Sequence, residues 1–390
     1  MSPLRFLTAG ESHGPELVVI VEGMPAGVPV DGEAIDRELV RRQGGYGRGA
    51  RSTKIERDHA EIVSGVARGR TTGAPIAMRI VNRDFANQPA DPAPLTAPRP
   101  GHADLAGGTK YGLEDFRLVR ERASARETAA RVAAGAVARG LLAAFGTNLG
   151  SYVTSIGDVT ATLPAPEDLA GSDLRRLADE AEDDAVRCPD PVASTAMQAA
   201  IDVARHDGET LGGVFVAFAT GVPVGLGSHV HWDRKLDGRL AGAVCSIPAV
   251  KGVELGPAFD LAARPGSRAQ DPLFLRDGAV VRDSNHAGGL EAGITNGEPV
   301  LVRGAMKPLS SVRSAIASVD FATGAAADPP YVRSDVTAVP AAAVVAEGMV
   351  AWVLAEALVE RFGGDRLELM LAARDAADRT GPKPPPDGGP

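Results

Sequence analysis

Residues Arg99–Phe145, RPGHADLAGGTKYGLEDFRLVRERASARETAARVAAGAVARGLLAAF, set the reading of the whole chain. The second half predicts a long helix from Ser124 to about Phe145. Ser124-x-x-Glu127 forms a capping box at its start, and Gly146 follows its end. The Ala-rich faces of that helix predict tight burial against sheets rather than solvent. The first half sets His102 among glycines and follows it with Lys110, Arg117, Arg120, Arg122 and Arg126. An imidazole beside cations and a helix start suits an anionic ligand and a proton-transfer step.

Working outward, LVVIVEGM (Leu17–Met24) is a short apolar run ending at Gly23 and Pro25, hence a buried strand. An amphipathic helix begins at Asp31 and stops at Gly44 and Gly45. AEIVSGVARG, APIAMRIVN, GGVFVAFATGVP and EPVLVRGAMKP read as strands. A second long helix runs from Pro340 to Phe362 and closes at Gly363 and Gly364. The acid-rich stretch Leu169–Arg187 reads as a solvated helical face, and Ala86–Pro98 and Arg264–Arg282 as long loops. One domain over residues 1–375 is expected. The Pro/Gly-rich remainder, residues 376–390, is expected to be a disordered tail.

Composition narrows the function classes. The 390 residues are 44% hydrophobic and 23% charged, a globular balance with ample core. With 4% aromatics and a net charge of −9, the chain has neither a stacking platform nor a general basic surface for nucleic acid. Cys188 and Cys245 are too few for a disulfide framework, so a reduced, cytoplasmic protein is expected. The first residues, MSPLRFLTAGESHG, lack the apolar core of a targeting signal, and no apolar run reads as a membrane span.

The acidic total hides local basic patches. Arg41–Lys54 holds five basic residues and no acid, interleaved with glycines at 44, 45, 47 and 49. Guanidinium forks on such a loop suit phosphates and carboxylates, whereas the GxxxxGK[ST] phosphate loop is missing. GESHG (Gly10–Gly14) and RSD (Arg333–Asp335) share this chemistry. Ser12, His13 and Asp335 invite a test of acyl transfer, but no GxSxG elbow accompanies them. His229 and His231 lack a third ligand at metal-binding spacing, so no metal site is assigned. Met306–Ser311, MKPLSS, places a lysine and two hydroxyls after a strand, where phosphate can be held. GGLEAG (Gly288–Gly293) fails the dinucleotide spacing.

Taken together these segments resemble the chorismate synthase family from about Phe6 to Phe362. The resemblance rests on GESHGPELVVIVEGMP, GYGRGARSTKIERD, RPGHADLAGGTKYG, RASARETAARVAAG, SIPAVKGVELG, SNHAGGLEAGITNG, MKPLSS and RSDVTAVPAAAVVAEGM, in that order. It implies an α+β fold, a single-domain β-α-β sandwich of antiparallel sheets around central helices. It also implies a 1,4-anti elimination of phosphate from 5-enolpyruvylshikimate 3-phosphate, giving chorismate, with reduced FMN required and NADPH open as its reductant. A homotetramer is implied as well. By the same resemblance His13 lies near the leaving phosphate and His102 near the flavin. Asp335 assists proton removal, helped by Ser12 and Ser124. Flavin contacts fall on Arg122, Ala123, Ser124, Pro248, Ala249, Ala292, Lys307, Pro308, Leu309, Ser310, Ser311 and Arg333. Arg42 and Arg48 match substrate or pyridine-nucleotide positions. Pro248 stands where some relatives carry Asn or Gln, and it offers only a carbonyl and a ring. Outside this family, a non-catalytic polyanion-binding module and a flavin-independent phosphate-ester hydrolase remain as alternatives.

Overall fold

The computed structural model describes residues 4–49, 58–87, 89, 92–314, 316–329 and 335–380. Two antiparallel sheets enclose a helical layer. The first sheet contains β1 (Arg5–Gly10), β2 (Glu16–Glu22), β3 (Ala60–Ile62) and β4 (Ile76–Val81), in the order β1-β2-β4-β3. Leu17, Val19 and Val21 on β2, with Ile76, Met78 and Ile80 on β4, point into the core, as period-two alternation requires. Ile20, one position out of phase, is exposed.

The second sheet begins with β5 (Asn148–Ile156), β6 (Val159–Thr160), β7 (Gly213–Thr220) and β8 (Val250–Leu255). An outlying hairpin, β9 (Leu273–Arg276) and β10 (Ala279–Arg282), and a short one, β11 (Leu290–Glu291) and β12 (Ile294–Thr295), come next. Strand β13 (Val300–Met306) then completes the second sheet, ordered β8-β13-β7-β5-β6. This sheet is covered on both faces: Phe215, Ala217 and Ala219 face the main core, and Val216 and Phe218 join Tyr152 and Leu301 in a smaller outer one.

The helices are α1 (Gly32–Gln43), α2 (Asp104–Tyr111), α3 (Phe116–Ala123), α4 (Thr128–Ala144), α5 (Gly171–Glu182), α6 (Pro191–Asp207), α7 (Leu236–Cys245), α8 (Val339–Phe362) and α9 (Leu367–Thr380). Helix α4 packs on the first sheet, α8 on the second, and the two lie against each other. They meet at glycines: a Cβ on Gly135 would fall 2.5 Å from the Gly348 Cα. That close approach is why both helices are so rich in alanine and glycine.

Helix α8 is long and apolar enough to cross a membrane, contrary to the sequence expectation that no run reads as a span. It is nevertheless enclosed within the fold. Its Glu347 is fully buried and held by Arg41 (Nη2 to Oε1, 2.8 Å), Ser151 (2.5 Å) and the Arg139 guanidinium. Burial alone would raise that carboxyl, but the charges of Arg41 and Arg139 outweigh it and hold it well below the usual carboxylate range.

Four further expectations need correction. The helix expected from Ser124 starts four residues later, at Thr128, as α-helix, because Ala125–Glu127 form a 3₁₀ turn, and α3 precedes it. Within Arg264–Arg282 the expected loop contains the β9–β10 hairpin, turned by Asp277 (φ 50°) and Gly278 (φ 75°), an Asp-Gly pair suited to two consecutive positive φ values. The acid-rich helix α5 is not simply solvated, since Leu174, Leu177 and Ala181 are buried in the outer core. Helix α9 continues to Thr380, past the expected boundary at 375, because Arg374–Thr380 holds no proline before Pro382. Residues 381–390 lie outside the described residues.

Candidate active site

The histidines of interest stand on glycine-bearing turns; helix α3 holds His13 directly and is tied to His102 through Asp104. Asp115 caps α3, its side chain accepting from Arg117 N at 2.9 Å. Phe116 anchors the helix from inside, edge-on to Phe321. The end of α3 then presents Arg120, Glu121 and Arg122 to three neighbouring segments.

Glu121 faces the β1–β2 turn. Its Oε2 accepts the His13 backbone N–H at 2.6 Å, and its Oε1 meets His13 Nδ1 at 2.8 Å. The Glu121 carbonyl accepts the Ser12 N–H at 3.1 Å, and Asn82 Nδ2 donates to the Gly14 carbonyl at 2.8 Å. Ser12 is 2% exposed. The Arg122 guanidinium is spent on β1, donating to the Thr8 and Gly10 carbonyls.

Arg120 reaches the other histidine through Asp104, the fully buried first residue of α2. Asp104 Oδ1 lies 2.5 Å from His102 Nδ1. Its Oδ2 accepts from Arg99 N (3.1 Å), Arg99 Nε (3.2 Å) and Arg120 Nη2 (3.1 Å). Burial alone would raise this carboxyl; the hydrogen bonds from His102 and Arg99 overcome that and hold it well below the usual carboxylate range. Two guanidinium groups against one carboxylate leave a positive excess beside His102, suited to an anion.

From here the contacts run on into the MKPLSS segment. Arg99 Nη1 donates to Ser311 Oγ at 2.9 Å, and Lys307 Nζ to the Gly101 carbonyl at 3.0 Å. Gly101 has φ 74°, and a Cβ there would stand 3.3 Å from Lys307 Nζ and 3.7 Å from Ser310 Cβ. Lys307 N donates to the Ala249 carbonyl at 2.9 Å, beside Pro248. The Leu309 carbonyl, next to Pro308, accepts from Thr210 Oγ1 at 2.7 Å. Leu211 N bonds the Val336 carbonyl, and Val336 N the Gly47 carbonyl, both at 2.8 Å. There Arg48 donates to Asp335, whose Oδ1 also accepts from Gly49 N at 2.6 Å.

Hydrogen bonds thus join Ser12 and His13 to the end of α3, the turn of His102 to Lys307, Ser311 and, through Lys307, Ala249, and Arg48 to Asp335. Ala123 and Ser124 end α3, and Ser124 Oγ accepts from Arg126 N at 3.3 Å; Glu127 pairs with Arg131 at 2.6 Å. Arg42 is 4% exposed and braces this turn, donating to Thr128 Oγ1 and the Ala125 carbonyl at 2.9 Å each. Ala292 stands elsewhere, at the tip of the β11–β12 hairpin, whose other bonds run to Leu236, Gly225 and Leu226. Arg333 lies outside the described residues. Ala249 (φ 67°) and Ala292 (φ 52°) are both non-glycine residues in the left-handed region, a strained state that clusters at functional sites.

Sequence reasoning missed the roles of Glu121, Asp104 and Asn82. The His-x-Asp spacing of 102 and 104 held a signal for Asp104. Glu121 is 108 residues from His13, and nothing local marks it.

The antiparallel sandwich defines an α+β protein whose loops hold two histidines, each backed by a carboxylate. Residues 4–359 match the family model described as chorismate synthase. The chain is 55% identical over 377 residues to a chorismate synthase of Rubrobacter xylanophilus, covering 94% of this chain and 95% of that protein. It is 52% identical to one of Streptomyces coelicolor, with 94% and 95% covered. A solved structure titled as a crystal structure of chorismate synthase superposes with a TM-score of 0.80 at 44% identity, covering 96% of this chain and 98% of that one. The chain belongs to the chorismate synthase family.

Proposed function

We propose that the protein eliminates phosphate from 5-enolpyruvylshikimate 3-phosphate by a 1,4-anti route to give chorismate, a carbon–oxygen lyase step of aromatic amino-acid biosynthesis in the shikimate pathway. The observation that carries this reading is the pair of carboxylate-backed histidines, with Arg99, Arg120 and Lys307 around the turn of His102, in a member of this family. A substrate with one phosphate and two carboxylates accounts for cations clustered in an acidic protein.

In this reading His13 protonates the departing phosphate oxygen, and Arg48 meets the developing charge. Asp335, helped by Ser12 and Ser124, assists removal of the ring proton. Arg42 acts through the turn that carries Ser124. Lys307, Ser310 and Ser311 hold an anionic phosphate-bearing group, and their ammonium and hydroxyl chemistry fits the phosphate of FMN. In the same reading Arg122, Ala123, Pro248, Ala249, Pro308 and Leu309 line that surface, while Ala292, on a separate hairpin, and Arg333 are assigned to it by the family resemblance alone. When bound, reduced FMN supplies electron density toward the breaking C–O bond. His102 orients that group and holds a proton at its edge. NADPH as reductant, a homotetramer and a cytoplasmic location belong to the same proposal.

The test is an anaerobic assay with chemically reduced FMN and the enolpyruvyl substrate, followed at chorismate absorbance. Product formation only with reduced flavin supports the proposal. Phosphate release without flavin points to a hydrolase instead.

A further inference from the structure

Helix α3 seats two histidines with consecutive residues. Glu121 touches His13 directly, and Arg120 touches the carboxylate that touches His102. In both cases the carboxylate approaches Nδ1. An imidazole approached there by an ionised carboxylate carries its proton on Nδ1 and keeps Nε2 as its basic nitrogen. Arg99 Nη2 also lies 3.1 Å from His102 Nδ1, but the Asp104 oxygen is closer at 2.5 Å, and two N–H donors cannot share one bond.

We infer that Asp104 and Glu121 are positioning residues that fix the Nδ1–H tautomer of neutral His102 and His13, so that Nε2 is the nitrogen that takes up and delivers the second proton at the ligand. The inference deepens the proposed function and rests on it for the histidines' roles; the tautomer itself rests on geometry alone.

The geometry also says what an amide would do at either place. Asp104 Oδ2 accepts from three donors whose positions are set by the Arg99 backbone and two guanidinium groups. In Asp104→Asn the amide oxygen must take that side, which leaves NH₂ facing His102 Nδ1. Glu121 Oε2 accepts the His13 backbone N–H, so in Glu121→Gln the NH₂ faces His13 Nδ1. Each nearly isosteric change therefore drives its own histidine to the opposite tautomer, with Nε2 protonated.

The experiment uses the full chain with ¹⁵N-labelled histidine at pH ~8, where free imidazole is neutral. Signals are assigned by their loss in His13→Ala and His102→Ala. In the wild type, both histidines should show a protonated Nδ1 and a pyridine-like Nε2. Asp104→Asn should invert only His102, and Glu121→Gln only His13. Turnover in each should fall by about 10²- to 10⁴-fold, with substrate KM changed by less than about threefold. A pyridine-like Nδ1 in the wild type, or an inverted tautomer with unchanged kcat, overturns the inference. Should Asp104→Asn not fold, the wild-type spectra and Glu121→Gln still decide. A wild type that makes no chorismate with reduced FMN overturns the function reading and leaves the tautomer assignment to the spectra.

Discussion

Arg48 donates through Nη1 to the carboxylate of Asp335, which also accepts the Gly49 N–H at 2.6 Å. The basic glycine loop and the RSD segment, 287 residues apart in the chain, are thus one unit. Arg48→Ala removes a cation and also the group that seats Asp335. It should raise substrate KM by about 10- to 100-fold, the size of a charge-assisted contact, and lower kcat as well. Arg48→Lys should recover KM only in part, because a point charge does not reproduce the fork. Kinetics across a salt series check this: wild-type KM should rise with ionic strength more steeply than that of the alanine variant.

Asp335→Asn keeps the acceptor for Gly49 while losing the charge. Flavin should still bind, as measured by fluorescence quenching, and turnover should collapse. Loss of FMN binding would instead make Asp335 a structural or binding residue.

His102→Ala should lower turnover by roughly 10²–10⁴-fold, the usual acid–base contribution, without moving the thermal transition far. Its side chain is 18% exposed and its partner Asp104 keeps Arg99 and Arg120. Wild-type turnover in this variant would remove His102 from the chemistry.

The α4–α8 crossing is asymmetric, and two alanine variants expose this. A Cβ on Gly135 strikes the Gly348 backbone at 2.5 Å, so Gly135→Ala must push the helices apart at a cost of about 1–3 kcal/mol. A Cβ on Gly348 meets nothing closer than 3.6 Å, and Gly348→Ala should leave stability unchanged or improved by up to about 1 kcal/mol. Denaturant melts of the two variants give the comparison.

Glu347 predicts a pH dependence. Its folded value is depressed by Arg41 and Arg139 against the opposing effect of burial. Its contribution is therefore complete above the unfolded carboxylate value, about 4.3, and is lost as pH falls below that toward the folded value. Glu347→Gln should flatten this acid slope in urea melts between about pH 5 and 3. It should also cost about 3–5 kcal/mol near neutrality, because Arg41, Arg139 and Arg187 are left around a neutral amide.

Short-range order was readable directly from the residues. Asp31 and Gly44 bound α1, β2 and β4 alternate, and the two alanine-rich helices end beside Gly146 and at Gly363, because caps, glycines and periodicity act within a few residues. The family was readable for a related reason: its recurrent segments are contiguous strings, and each keeps its own local chemistry. The Asp277-Gly278 turn held a hairpin signal of the same local kind. What the residues could not disclose were partnerships across the chain. Glu121 with His13, Arg48 with Asp335, Lys307 with Gly101, and Glu347 with three arginines depend on which loops the two sheets and the α4–α8 crossing bring together. Loop closure over a hundred or more residues leaves no trace in either partner's neighbourhood. Composition could supply the cations and histidines of this site, but only the packed sandwich could decide which carboxylate stands behind each ring.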